Sequence, residues 1–157
     1  MTEQAWTDAD EMWMRMAIEL SHHCPPAEGA FSVGAVIVDS DGNEVARGYS
    51  REGGDPHVHA EAAALAKVES PERLQGGTIY SSLEPCSQRR QPVPTCTQRI
   101  LESGLARVVI AWREPSLFVD DCQGFEMLCA AGLTVVEIPL LASGAREANA
   151  HLRGISS

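Results

Sequence analysis

The sequence contains a single lysine, Lys67, and its 22 acidic residues outnumber 12 basic ones, which gives a formal net charge of −10. Surfaces that bind nucleic acids or anionic membranes depend on clustered lysine and arginine. A chain with this composition has no basic stripe to offer. We therefore expect a small molecule as its substrate, and neither a nucleic acid nor a membrane as its partner.

The sequence also lacks any run of about 18 apolar residues, the length that a membrane-spanning helix needs. Its first twenty residues are acidic, whereas a secretory signal begins with basic residues and continues with an apolar stretch. The 157 residues show no repeat or low-complexity segment. These features favour a cytoplasmic protein with one domain that covers residues 1–157.

Periodic patterns along the chain predict its architecture. The apolar, β-branched run 31–39 is followed by Asp41-Gly42, a hairpin signature. Helices are predicted at 8–20, 57–70, 97–104, 124–132 and 140–152, and strands at 31–39, 43–50, 78–82, 106–112 and 133–138. A hairpin followed by alternating helices and strands predicts an α/β fold. We expect a three-layer α/β/α sandwich, with a mixed five-stranded sheet and helices on both faces.

Candidate metal ligands lie where predicted strands end and helices begin. His59 opens a helix, Cys86 follows a strand and Cys96 precedes the next helix. An odd number of cysteines, five, points to metal binding or packing rather than to disulfides in a reducing compartment. Catalytic zinc takes three protein ligands and leaves one position open for water. The pattern therefore predicts a catalytic Zn²⁺ site.

Glu61 is the candidate proton carrier of that site. Two residues apart on an ideal helix, His59 and Glu61 do not share a face, so they converge only if the metal lies off the helix end. In that arrangement the Glu61 carboxylate reaches the water that the metal activates. The alternative is that His57 completes the shell, which would make the site a closed, structural one.

These residues carry a resemblance to a known family. His-Ala-Glu on a helix, then Pro-Cys and a further cysteine, is the signature of zinc nucleobase deaminases. The chain resembles the cytidine deaminase-like superfamily over nearly its full length. The segments "SVGAVIV", "HAEAAAL", "LEPCS", "PTC" and "ARVVIAWREP" are most similar to the deaminase domain of the riboflavin-pathway pyrimidine deaminase–reductases.

The resemblance implies a set of roles. The zinc ligands would be His59, Cys86 and Cys96. Glu61 would take a proton from water and deliver it to the ring nitrogen and to the departing ammonia. Backbone groups at Ala60 and beside Pro85 would hold the substrate. The family also implies a homodimer or a higher homo-oligomer.

The implied activity is hydrolytic deamination, in which an exocyclic amine of a small pyrimidine-like heterocycle becomes a carbonyl. One version is the diaminohydroxyphosphoribosylaminopyrimidine deaminase of riboflavin synthesis. However, Ala30 stands where that family often has an asparagine, Ser50 stands near an expected histidine, and nine residues separate the two cysteines, one more than expected. These departures favour the alternative of a free base, a nucleoside or a secondary-metabolite heterocycle that is cytosine-, guanine- or aminotriazine-like.

Two other classes of function are also considered. A tRNA or DNA editor shares the motif but conflicts with the acidic charge, and a non-catalytic zinc module would have no use for Glu61.

Several side chains near the predicted metal site are candidate substrate contacts. They are Gln88, Arg89, Arg90, Trp112, Phe118 and Asp120. The two arginines could hold a phosphate or carboxylate, or form a solvated pair. The two aromatic residues could stack on a planar ring or belong to the core, and Asp120 could bind substrate amines or cap the next helix.

Overall fold

The computed structural model describes residues 6–89, 93–115 and 122–152. Its helices are α1 (Asp8–Ser21), α2 (Ala60–Ala66), α3 (Cys96–Leu101), α4 (Gly124–Ala130) and α5 (Ala142–Glu147). Its strands are β1 (Gly34–Val38), β2 (Glu44–Tyr49), β3 (Thr78–Leu83), β4 (Arg107–Trp112) and β5 (Thr134–Glu137). The predicted order of elements is confirmed. No helix among the described residues combines the length and apolar character needed to cross a bilayer.

The five strands form one mixed sheet in the order β2-β1-β3-β4-β5. Strand β1 pairs antiparallel with β2 and with β3, while β3, β4 and β5 run parallel. This arrangement confirms the predicted mixed sheet. Because β3 and β4 are parallel, their carboxyl ends meet at one edge, where open α/β sheets bind ligands.

Alternate residues of the buried strands face two separate cores. One core joins Ile37, Ile79 and Val108 to residues of α2, α3 and α4, and the other joins Val36 and Val109 to residues of α1 and α5. The period of two along each strand puts these two sets on opposite faces of the sheet. Helices cover both faces, so the predicted three-layer α/β/α sandwich is confirmed.

Helices α2 to α5 are all shorter in the structure than in the sequence pattern, and α2 and α5 differ most. Helix α2 starts at Ala60 rather than at residue 57, because the backbone N–H of Arg51 binds the Val58 carbonyl and holds the preceding residues in a turn. At the other end of the chain, residues 139–141 form a 3₁₀ turn and α5 ends at Glu147. The shorter α2 leaves His59 just outside the helix.

A buried ion pair joins α1 to the centre of the sheet. Asp10 is 2% exposed, accepts two hydrogen bonds of 2.7 Å from the Arg107 guanidinium and accepts a third from the Tyr80 hydroxyl at 2.7 Å. Burial alone would raise the pKa of Asp10, but the hydrogen bonds from Arg107 and from the Thr7 backbone lower it well below its ordinary value. The carboxylate is therefore charged throughout the neutral range.

Asp10→Ala should destabilise the protein by about 3 kcal/mol, because it leaves the Arg107 charge half-buried without its partner. Urea unfolding at pH 7 measures the change. The matched control is Glu44→Ala, which removes a more exposed ion pair with Arg47 and should cost less than about 1 kcal/mol. Equal losses in the two variants would contradict this assignment. Because the pKa of Asp10 is lowered on folding, its contribution is present above the ordinary carboxylate pKa and is lost as the pH falls below it.

Candidate active site

Three groups with metal-binding atoms meet at the carboxyl edge of β3. His59 is the N-cap of α2 in extended backbone conformation, Cys86 follows β3, and Cys96 is the first residue of α3. Nδ1 of His59 lies 3.5 Å from Sγ of Cys86 and 3.4 Å from Sγ of Cys96. All three atoms lie within 4.8 Å of one another.

This spacing fits tetrahedral zinc. Zn–N and Zn–S bonds of ordinary length at a tetrahedral angle place nitrogen and sulfur about 3.6 Å apart, close to both observed distances. His57, the rival fourth ligand, is exposed and lies outside the cluster that the described residues form. A group of three ligands is what an open, catalytic site has.

Local hydrogen bonds fix the two cysteines. Thr95 and Gln98 form a capping box at the start of α3, with bonds of 2.8 and 3.0 Å. The backbone N–H of Cys96 lies 3.3 Å from Sγ of Cys86, and the N–H of Thr97 donates to the Cys86 carbonyl. The cap thus makes Cys96 the first residue of α3. It also places the N–H groups of Cys96 and Thr97 within hydrogen-bonding distance of Cys86.

The two thiols have unequal acidities in the absence of a metal. A hydrogen bond from Cys96, together with the neighbouring His59, lowers the pKa of Cys86 to about 4 despite its burial. The same hydrogen bond, together with burial, raises the pKa of the Cys96 thiol well above its ordinary value. The pair therefore holds one proton between two sulfur atoms, which gives a thiolate ready to bind a metal.

Glu61 is buried beside this cluster without being one of its three groups. The side chain, in the first turn of α2, is 4% exposed, and the Ser81 hydroxyl donates to its Oε2 across 3.2 Å. Burial and the neighbouring charge of Cys86 raise its pKa. A carboxyl group with a raised pKa holds a proton more tightly than a solvated glutamate, which suits a group that must both accept and release one.

A cavity of about 240 Å³ opens onto the cluster. His59, Glu61 and Cys86 line one side of it, and residues 29–31 with Val33 line another. The cavity also has the charged side chains Arg51, Glu84, Arg89 and Glu114 in its walls. Its size suits a small molecule.

Glu84 connects three parts of the cavity rim. This buried residue follows β3 and precedes the Pro85-Cys86 pair. Its Oε1 accepts from the Glu114 N–H at 3.0 Å, and its Oε2 accepts from the Phe125 N–H at 2.8 Å. The carboxylate therefore connects the end of β4 and the start of α4 to the loop that begins at Pro85 and carries Cys86.

The structure brings some of the predicted substrate contacts to the cavity. Ala60, Gln88 and Arg89 line it, and the Arg89 guanidinium donates to the His57 carbonyl at 2.9 Å. Pro85 is not among the lining residues; its carbonyl lies 3.3 Å from the Thr97 hydroxyl.

The remaining predicted contacts lie elsewhere. Trp112 packs edge-on against the Phe31 ring, with centroids 5.8 Å apart, and thus stands behind the cavity wall. Arg90, Phe118 and Asp120 lie outside the described residues.

Sequence reasoning missed Ser81, Arg51 and Glu114. Ser81 shares a strand face with Ile79 and Leu83, and the period of two along β3 could have revealed that it faces α2. Glu114 follows β4 at the carboxyl edge of the sheet, a position typical of ligand sites. No sequence pattern indicated a role for Arg51, because its burial depends on contacts with residues 25–32, which are distant in the sequence.

The model of the family described as "Cytidine and deoxycytidylate deaminase zinc-binding region" matches residues 7–112, which include the whole cluster. The chain belongs to this family. The resemblance predicted from the His-Ala-Glu and Pro-Cys elements is thereby confirmed.

Several named proteins are similar to this chain. A diaminohydroxyphosphoribosylamino-pyrimidine deaminase of Schizosaccharomyces pombe is 39% identical over 81% of the chain and 31% of its own length. A solved structure of RibD from Acinetobacter baumannii is 30% identical, with a TM-score of 0.72 over 90% of this chain and 38% of that one. A Rib2 deaminase of Aspergillus oryzae in complex with DARIPP has the same fold, with a TM-score of 0.72 at 22% identity and coverage of 90% of each chain. The chain spans about a third of the length of the curated relatives it matches first.

Glu114→Gln should change how stability depends on pH. Burial raises the pKa of Glu114 from 4.5 to about 7, and one of its carboxylate oxygens is buried without a hydrogen-bond partner among the described residues. Between these pH values the folded state keeps a proton that the unfolded state releases. Glu114 therefore makes folding less favourable as the pH rises through this window.

The free energy of unfolding of Glu114→Gln, relative to that of wild type, should rise by about 1–2 kcal/mol as the pH increases from 4.5 to 7. This value is reduced for the partial exposure of the side chain. Above pH 7 the difference between the two proteins should stay constant. Urea unfolding across pH 4.5–8 measures it. Glu102→Gln, at an exposed position, is the control, and its free energy of unfolding should depend on pH as that of wild type does. A Glu114→Gln curve that also runs parallel would contradict the raised pKa.

Proposed function

We propose that this single domain is a zinc-dependent hydrolytic deaminase. It converts an exocyclic amine of a small pyrimidine-like heterocycle into a carbonyl and releases ammonia. The proposal rests on one observation above all. The His59, Cys86 and Cys96 cluster has the spacing of a three-ligand zinc site, and the buried Glu61 carboxyl lies beside it at the end of a small cavity.

Each group has a defined chemical task in this proposal. His59, Cys86 and Cys96 would hold Zn²⁺, which when bound would supply the Lewis acidity that makes water a better nucleophile toward the amine-bearing carbon. Glu61 accepts a proton from that water and passes protons to the ring nitrogen and to the leaving amine. Water adds, ammonia leaves, and the atoms balance without any other reactant. Ser81 holds the Glu61 carboxyl in place.

The favoured substrate is the diaminohydroxyphosphoribosylaminopyrimidine of riboflavin synthesis. Support comes from the names of relatives that are at least 30% identical and from Arg89, whose guanidinium stands in the cavity wall. A guanidinium binds a phosphate through paired, charge-assisted hydrogen bonds. Ala30 and Ser50 also line the cavity, and their short side chains favour the second candidate, a non-phosphorylated base, nucleoside or related heterocycle.

We place the enzyme in the cytoplasm as a homodimer or higher homo-oligomer, and the net charge of −10 argues against a nucleic-acid substrate. All five cysteines are unpaired with one another, as a reducing compartment would keep them.

Glu61→Gln should retain zinc and lower kcat by about 10³-fold or more, because the amide cannot carry the proton. Metal analysis and ammonia release from the phosphoribosylaminopyrimidine measure the two quantities. Glu102→Gln serves as the control and should match wild type. If the Glu61→Gln variant keeps both its zinc and its turnover, the catalytic assignment is wrong.

Arg89→Ala should raise KM for the phosphorylated substrate about tenfold, by removing a charge-assisted contact, and leave KM for a dephosphorylated analogue unchanged. Ammonia release from a panel of aminopyrimidines, aminopurines and aminotriazines, with and without phosphate, gives the comparison. Arg47→Ala, on an exposed strand position paired with Glu44, is the matched control. Turnover confined to non-phosphorylated compounds would favour the second candidate substrate. The same panel with Arg90→Ala tests the second arginine.

A further inference from the structure

One wall of the cavity is built from irregular backbone. Residues 29–31 and Val33 line the cavity, yet residues 29–33, here called the wall segment, belong to neither a helix nor a strand. Even so, Ser32 and Val33 are almost completely buried. Buried backbone that lacks the regular hydrogen bonds of a helix or a sheet needs hydrogen-bond partners from elsewhere in the chain.

Asn149 supplies those partners for Ser32. Its side chain is 1% exposed and lies just beyond α5. Its Oδ1 accepts from the Ser32 N–H at 2.6 Å, and its Nδ2 donates to the Ser32 carbonyl at 3.0 Å. The same Nδ2 donates to the Ala145 carbonyl in α5 at 3.1 Å. One amide thus pairs with both backbone groups of Ser32, as a neighbouring strand would.

Arg51 holds the same segment from another direction. Its guanidinium donates to the carbonyls of Pro25 and Phe31, at 2.9 and 3.1 Å, and to the Ser32 hydroxyl at 2.8 Å. Arg51 is 6% exposed and has a left-handed backbone with φ of 59°. A non-glycine residue holds that conformation only when its surroundings require it, and here the bond from its N–H to the Val58 carbonyl does so.

Two more contacts complete the support. The Ser50 N–H donates to the Val33 carbonyl at 3.0 Å, and its hydroxyl oxygen accepts from the Val33 N–H at 2.9 Å. Trp112 packs edge-on behind Phe31. Every residue from Phe31 to Val33 is therefore fixed by a partner outside the wall segment.

We propose that Asn149 and Arg51 are positioning residues for deamination. Together they fix the wall segment opposite His59 and Glu61, and so set how tightly the cavity holds its substrate. Neither belongs to the metal cluster or carries the reacting proton, so their loss affects binding more than chemistry. The proposal rests on the proposed function, since it concerns the substrate of the same site.

Kinetics of the zinc-loaded enzyme test the proposal. Asn149→Ala should raise KM about tenfold, keep kcat within about threefold of wild type and leave zinc content unchanged. Tyr80→Phe is the matched control, because it removes a buried hydrogen bond to Asp10, and neither residue lines the cavity. It should lower stability without raising KM. An Asn149→Ala variant with the wild-type KM, or an equal rise of KM in Tyr80→Phe, would overturn the proposal.

Hydrogen–deuterium exchange gives a readout that needs no substrate. Amides of the wall segment should exchange faster in Asn149→Ala, while those of β3 and β4 should not. Arg51→Lys keeps the charge but cannot reach three acceptors, so it should show a smaller effect in the same direction and provides a milder variant if Asn149→Ala fails to fold. Unchanged exchange in both variants would overturn the proposal. Wild type that releases no ammonia from any compound in the panel would refute the proposed function instead, and exchange would still decide whether these residues hold the wall segment.

Discussion

The parallel pairing of β3 with β4 is the constraint on which the site depends. It brings the ends of both strands to one edge of the sheet, and from there β3 runs directly into Glu84 and Cys86. The antiparallel pairing of β3 with β1 buries the other side of the strand. Since β3 is held by hydrogen bonds along both edges, the residues that follow it start from a fixed position. The central strands of the sheet therefore set the position of the loop that carries Cys86.

Buried polar groups around this edge serve two different purposes. Glu84 and Asn149 are hydrogen-bonded to backbone groups of separate segments, so they connect those segments. Glu61 and Glu114 instead keep carboxyl groups whose burial raises the pKa. Burial disfavours the charged form of these two carboxyl groups, so each holds its proton more tightly than a solvated glutamate does. The same residue type thus gives a structural link at one position and a titrating group at another.

Local signals in the sequence were sufficient for the sheet, for the order of the helices and for the expectation that His59, Cys86 and Cys96 lie close together. The capping box of Thr95 and Gln98 is a short-range pattern, and the apolar runs of β1, β3 and β4 are equally local. Helix geometry also predicted that His59 and Glu61 can converge only near the end of α2, and the structure has His59 as the N-cap and Glu61 in the first turn. The start of α2 was wrong because the turn before it depends on a bond from Arg51 to Val58. Asn149 could not be predicted as a wall residue, because its partner Ser32 lies 117 positions away.

The loop between the two cysteines has a consequence for how such a protein can diversify. The start of this loop is set by β3 and its end by the cap of α3. The positions of Cys86 and Cys96 therefore do not depend on the residues between them. Lengthening a loop whose ends are already fixed costs little free energy. Insertions and substitutions over residues 87–94 can therefore accumulate while the arrangement of Cys86 and Cys96 stays constant. Selection for a new substrate could act on this one segment without altering the reaction.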